Sequence, residues 1–351
     1  MKGKKFILVF AAVAILAAGC TIEPLLHLRQ AIRVIVKVLW KVEVYPDGIK
    51  PSGVTLFLFR DGSYYKKHST SSVDSCLLRL EPGRYWLYMI SQGPDEFGNL
   101  EFFDTDDADN ARVQLVQTST KWYTRADGPV LAGNPEPMSV GKSENFEITA
   151  ELIEEFMKNI AENGEASEDV LTRYYTIRVP VNPRNIVSQY WVTIYSDNAD
   201  LLRGVRASTT GMARSYFLNK DITGDDECVQ IISDWELTID DPISRVGHLD
   251  GYVTTFGFPR GELPGPDRDP ELNVSTLLAD NITKENYVFF VGNKITLEKP
   301  PEGFRHLYRL VLGSVEAPVM HPPDVRPVDD ASGLNANVDE WGPGEDVEFD
   351  L

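Results

Sequence analysis

The chain has 351 residues, 53 of them Asp or Glu and 34 Lys or Arg, for a formal charge of −19 at neutral pH. Such an acid excess leaves nothing to neutralise a phosphate backbone, which argues against nucleic acid as a partner, and it disfavours adhesion of the protein body to an anionic membrane surface. Hydrophobic residues make up 42% of the sequence, enough to build packed cores and set aside global disorder, and the length predicts two domains.

Lys2, Lys4 and Lys5 precede an apolar run from Phe6 to Ala18, flanked as an export signal is and too short for a comfortable membrane span. The run ends in Leu16-Ala17-Ala18-Gly19-Cys20, with small residues set directly before a cysteine. This ending resembles the lipobox of bacterial lipoproteins, in which the cysteine thiol takes a diacylglycerol, the peptide is cut before it and the new amine is acylated. The resemblance implies loss of the signal peptide 1–19, a covalent diacylglycerol and N-acyl chain on Cys20 with no other cofactor, and a lipidated tether over 20–30. Each buried methylene contributes about 0.8 kcal/mol and stable anchoring takes at least two chains, so a Cys20 so modified holds the protein to a bilayer. Later apolar runs are broken by charges within about ten residues, so no second span is expected.

Further along, period two dominates. Val34, Val36, Val38, Trp40, Val42 and Val44 form one face and Arg33, Lys37, Lys41 and Glu43 mark the other, the pattern of a half-buried strand. Asp47-Gly48 and Pro51-Ser52-Gly53 supply turns before a second strand at Val54–Phe59, and Asp61-Gly62 turns the chain again. Leu77–Leu80 and Tyr85–Ile90 flank Glu81-Pro82-Gly83-Arg84, which reads as a tight reversal, so residues 31–92 predict a meander of short antiparallel strands. Asp104–Asp109 reads as a solvated loop, with strands following at Arg112–Gln117 and Phe146–Leu152. Ile153, Phe156, Met157 and Ile160 keep helical spacing and predict one short helix. The polar stretch Glu162–Asp169 is the linker candidate.

The second half opens with Tyr174–Val181 and Gln189–Tyr195, and further strands are expected at Tyr252–Phe258, Tyr287–Phe290, Lys294–Leu297 and Leu307–Leu312. After the turn Gly342-Pro343-Gly344, Val347, Phe349 and Leu351 alternate with Glu348 and Asp350 as one more strand. Roughly seven short strands per half, with turn signals between them, predict an all-β chain of two β-sandwiches, one over 31–166 and one over 170–351.

Motifs of catalysis are sparse. His27, His68, His248, His306 and His321 are scattered, with no His-Glu-x-x-His, and there is no Gly-x-Ser-x-Gly elbow. Gly141-Lys142-Ser143 has the end of a phosphate loop, but Glu136 stands where its first glycine belongs, and the segment reads as a turn. Asp104, Asp106 and Asp109 lack the glycine and closing glutamate of a calcium loop, Leu115 standing in the latter position. No catalytic or metal-ligating set is therefore assigned. Cys76 and Cys228 fall in different halves and read as two separate thiols rather than a bridge. Trp40 and Trp191 lie in strand patterns and read as core. Trp122 and Tyr123, beside Lys121 and Arg125, form the one aromatic pair that looks loop-borne: a packed loop anchor or a platform for a ligand such as a sugar.

The lipobox, the alternating first strand, Leu80-Glu81-Pro82-Gly83-Arg84-Tyr85, Gly211-Met212-Ala213, Thr254-Thr255-Phe256-Gly257-Phe258-Pro259 and the terminal Trp341 with its polar turn and strand occur together. In this combination the chain resembles the fimbrillin-like lipoproteins of Bacteroidales-type bacteria, in particular an uncharacterised-domain family close to the minor-fimbrium anchor subunits. The resemblance implies two transthyretin-like or immunoglobulin-like sandwiches in tandem on a lipid anchor at the outer membrane. It also implies a non-catalytic role in fimbria assembly or adhesion, with fimbrial or other envelope proteins as partners. The alternative is a glycan-binding envelope lipoprotein of a nutrient-uptake system. Val347, Phe349 and Leu351 have the alternation of a donor strand, although a strand after so short a turn is expected to close its own sandwich. Whether the protein faces the surface or the periplasm is left open. Cys20→Ala should abolish palmitate labelling and move the protein from the membrane to the soluble fraction; labelling that persists in the variant would contradict the lipobox.

Overall fold

The computed structural model describes residues 31–41, 50–120, 129–163, 175–265 and 268–328. Its first strand, β1 (Ile32–Val38), buries Ile32, Val34, Val36 and Val38 as the alternation requires. Four strands follow: β2 (Val54–Arg60), β3 (Ser63–Thr70), β4 (Ser75–Leu80) and β5 (Gly83–Ser91). β4 pairs with β1, whereas β5 pairs with β2, and β2 with β3, in a different sheet. The Glu81-Pro82-Gly83-Arg84 segment is thus not a reversal between neighbours. It is a corner that lifts the chain from one sheet to the facing one, so that Leu78 and Leu80 meet Tyr85, Leu87 and Met89 in a single core. Arg60 pins the corner by donating to the Pro82 carbonyl at 2.6 Å and to Glu81 Oε2 at 3.1 Å, while the Tyr85 hydroxyl donates to the Glu81 carbonyl at 3.0 Å. A Cβ at position 83 would stand 2.7 Å from Arg60 Nε, which explains the glycine.

The chain continues through β6 (Leu100–Phe103), β7 (Arg112–Leu115), β8 (Val130–Leu131), β9 (Ser139–Lys142) and β10 (Phe146–Ile148). Gly141-Lys142, expected in a turn, lies in β9, where Gly141 lets β9 pack close to Val181 and Met89. The expected helix is α1 (Ala150–Asn163), capped by Thr149 Oγ1, which accepts the Leu152 N–H at 3.2 Å. Its Ile153, Phe156 and Met157 pack on the first core. The helix takes in Glu162 and Asn163 from the expected linker; residues 164–169 of that stretch fall outside the described residues.

β11 (Thr176–Val181) and β12 (Arg184–Asn185) come next. β11, read from the sequence as the opening of the second half, runs parallel to β1 and completes the sheet β11-β1-β4. Its alternation marks a half-buried strand but does not say which sheet it joins. Facing it is the sheet β12-β9-β5-β2-β3, with β10 also on β5.

The remaining strands are β13 (Ser188–Ser196), β14 (Leu202–Ala213), β15 (Ser215–Phe217), β16 (Ile222–Thr223), β17 (Glu227–Ile232), β18 (Trp235–Asp241), β19 (Val246–Thr255), β20 (Glu271–Leu278), β21 (Lys284–Phe290), β22 (Ile295–Glu298) and β23 (Leu307–Leu312). They form the sheets β18-β19-β13-β23-β22 and β21-β20-β14-β17-β8, and a smaller β16-β15-β7-β6 sheet joins strands of both halves. The all-β sandwich architecture expected from the sequence is therefore present, with β6, β7 and β8 lent by the first half to sheets of the second.

β2 and β5 are buried on both faces. Leu56, Leu58, Leu87 and Met89 face the first core, while Phe57, Phe59, Tyr88 and Ile90 face the second. On the second side the rings of Phe57 and Tyr88 stack at 4.7 Å and those of Phe59 and Trp86 at 4.3 Å. The two sandwiches thus share a wall. Phe57→Ala should cost about 3–5 kcal/mol, and denaturant unfolding should show β1 and β20 losing hydrogen-exchange protection together, at a lower midpoint than in the wild type.

Candidate functional site

A cleft of about 720 Å³ opens beside the shared wall, lined among others by Lys41, Lys142, Arg184, Asp221, Arg305 and His306. Lys41 follows β1, Lys142 ends β9 and Arg184 opens β12, while Asp221 sits between β15 and β16 and Arg305 and His306 just before β23. Asp221 holds a φ of 59°, a conformation that Asp tolerates better than most residues and that turns its carboxylate back toward the cleft's cations. Four Lys and Arg against a single acid make this lining cationic on a chain of strongly negative charge.

The cations are not equivalent. Arg305 donates from Nε to His306 Nε2 at 3.2 Å, from Nη1 to the Tyr216 hydroxyl and to Asp221 Oδ1 at 2.7 Å, and from Nη2 to Asp221 Oδ2 at 3.2 Å and the Asp221 carbonyl at 3.3 Å. All five of its N–H groups are engaged, so it serves as a structural clamp and has no donor to offer a ligand. Arg184 also pairs with Asp221. Burial pushes the Asp221 carboxyl up, but the hydrogen bonds from Arg305 and Tyr216 and the charges of Arg305 and Arg184 outweigh it and hold the group below the usual carboxylate range. Burial, seconded by the Arg305 charge, lowers His306, which fits the neutral ring that accepts from Arg305. Lys41 and Lys142 remain at the mouth, the Lys142 ammonium 4.8 Å from the centre of the Trp86 ring. The chemistry available here is the holding of an anionic group.

A second surface lies on the outer face of the β13 sheet. Trp191, expected in the core, stands there half-buried, because the alternation of β13 sends Tyr190, Val192 and Ile194 inward. Its ring lies 5.6 Å from that of Tyr252, which is 49% exposed, and the Arg309 guanidinium lies 5.7 Å from the Trp191 ring centre. His248 is held between Asp240 at 2.7 Å and Asp250 at 3.4 Å on the same face. Trp40 is likewise only half-buried, its indole donating to the Val73 carbonyl at 3.0 Å.

Cys20, Trp122, Tyr123, Val347, Phe349 and Leu351, the residues singled out from the sequence, lie outside the described residues. Within the acidic loop, Asp104 pairs with Arg112 at 2.6 Å and Asp107 caps the backbone of Asp109 at 2.9 Å. Cys76 and Cys228 are free thiols in separate cores, and burial pushes them up to about 11 and about 12. Sequence reasoning missed Asp221 and Arg305, which are far apart in the chain and belong to no motif.

Arg305 and Asp221 are only 23% and 25% exposed, so Asp221→Asn, which leaves the guanidinium uncompensated, should cost about 2–4 kcal/mol. Because the folded carboxyl is the stronger acid, its contribution is present above the unfolded pKa of about 3.9 and is lost as pH falls through the folded value. Acid titration of stability should show that loss in the wild type, and a smaller one in the variant.

No curated protein matches this sequence. Among solved structures, a "putative adhesin" from Bacteroides ovatus is 14% identical, with a TM-score of 0.51 over 85% of this chain and 94% of that one. The fimbrial anchor protein Mfa2 from Porphyromonas gingivalis is also 14% identical, with a TM-score of 0.42 over 80% of this chain and 90% of that one. The tip fimbrial protein Mfa3 from the same organism is 11% identical, with a TM-score of 0.34 over 80% and 94%. The likeness in fold rests on the first of these. The model of one family, described as a domain of unknown function (DUF5119), matches residues 19–234, which is more than half of the sequence, and the chain belongs to that family.

Proposed function

We propose that this protein is a lipid-anchored component of the bacterial cell envelope, a fimbrillin-like accessory or anchor subunit in fimbria assembly or adhesion, with no catalysis of its own. The observation that carries the reading is the double sandwich, whose fold extends over 94% of a Bacteroides ovatus protein described as an adhesin. The family match opens at residue 19, next to Cys20, so the shared domain begins where a processed lipoprotein would begin. That start supports a diacylglycerol on Cys20 and an outer-membrane location. The tether would leave both sandwiches clear of the bilayer, with fimbrial or other envelope proteins as partners.

A second reading, a glycan-binding lipoprotein of a nutrient-uptake system, is favoured by the exposed Tyr252 beside Trp191 and Arg309, an arrangement on which a sugar face can stack. Purification from crosslinked cells separates the two. Fibre subunits should co-purify with the lipidated protein; recovery of an outer-membrane transporter in their place would favour the second reading, with Tyr252→Ala then expected to weaken glycan retention.

A further inference from the structure

The cationic cleft beside the shared wall has no lining residue in common with the Trp191–Tyr252–Arg309 face. With His306 neutral, its four Lys and Arg set against Asp221 leave three positive charges in excess. Arg305 is fully engaged in the clamp and Arg184 is paired with Asp221, so the charges free to meet a ligand are the two ammonium groups. Lys41 and Lys142 are both exposed, and neither has an ion-pair partner among the described residues. The Trp86 ring holds Lys142 by a cation–π contact at 4.8 Å, which positions the ammonium without neutralising it. At about 720 Å³ the cleft has the size of a small-ligand site.

The neutral groups of the lining narrow the ligand further. Asn182, exposed between β11 and β12, has a side-chain amide with no hydrogen bond among the described residues. His306 accepts from Arg305 at Nε2, so its proton sits on Nδ1, which has no acceptor among the described residues. The half-buried Phe304 adds a ring on which a C–H surface can pack. A ligand that satisfies all of these groups carries an acid for the lysines, hydroxyls for Asn182 and His306, and a ring with an apolar face. The rim sets an upper limit on charge: Asn219 Nδ2 donates to the Ala108 carbonyl at 2.8 Å and so fixes the acidic loop Asp104–Asp109 at the edge of the cleft. The successive charges of a polyanion would meet that loop, on a chain whose formal charge is already −19. No helix N-terminus stands among the lining residues to cradle a phosphate.

We propose that this cleft binds an acidic sugar, a single uronic-acid-type unit whose carboxylate meets Lys41 and Lys142 and whose hydroxyls meet Asn182 and His306. Calorimetric titration of the full chain with glucuronate, glucose and inorganic phosphate tests it. Glucuronate should bind, with glucose and phosphate each weaker by about tenfold or more, because one lacks the charge and the other the hydroxylated ring. The double variant Lys41→Met, Lys142→Met should lose about tenfold or more in glucuronate affinity at an unchanged melting temperature, since both side chains are exposed and stand outside the clamp. Asn182→Ala should weaken glucuronate several-fold. Tyr252→Ala should leave glucuronate binding as it is, which separates this site from the sugar-stacking face. No binding of glucuronate, equal affinity for glucose or for phosphate, or undiminished affinity in the double lysine variant would overturn the proposal. The choice among the three ligands is read on the unaltered protein and does not depend on how any variant folds.

Discussion

The rest of the structure depends on β2 and β5 being buried from both sides. A sheet in a two-layer sandwich ordinarily spends one face on its core and gives the other to water. Here the second face carries Phe57, Phe59 and Tyr88 into the neighbouring core. Neither sandwich can shift against the other without opening stacked aromatic rings to solvent. The three strands lent across, β6, β7 and β8, follow from the same constraint, because a wall shared by two cores leaves no clean surface along which the chain could be divided.

Polar contacts at this junction then set orientation rather than supply adhesion. Arg305 spends its whole donor set on Asp221, Tyr216 and His306, joining the turn after β15 to the approach to β23. A guanidinium so occupied fixes distances and has no donor left for a ligand. The cleft therefore pairs a fully hydrogen-bonded guanidinium with two lysines, Lys41 and Lys142, that carry no part of that clamp.

Much of this was legible in the sequence where alternation or a run of apolar, β-prone residues marks a strand, but not at β3 and β18, whose residues are mostly polar or exposed. β1 and the helix α1 announce themselves by period, since alternation at two or at 3.6 residues is what one-sided burial leaves behind, and β2 and β13 by runs of apolar, β-prone residues. β14 and β20 do not, because they are enclosed on both sides and carry Ser, Thr and Asn where an apolar stripe was sought. The corner at Pro82-Gly83 shows a second limit: turn residues report that the chain bends but not which sheet receives it. The Asp221–Arg305 clamp had no signal at all, as it joins segments that only the fold brings together.

Cys76 and Cys228 each lie at the heart of one of the two cores joined by the wall, and neither thiol ionises readily while its core is closed. Each sulfur is therefore out of reach of solution oxidants and of the other thiol while its own core stays closed. The same packing that joins the two sandwiches also keeps their thiols apart and reduced in character.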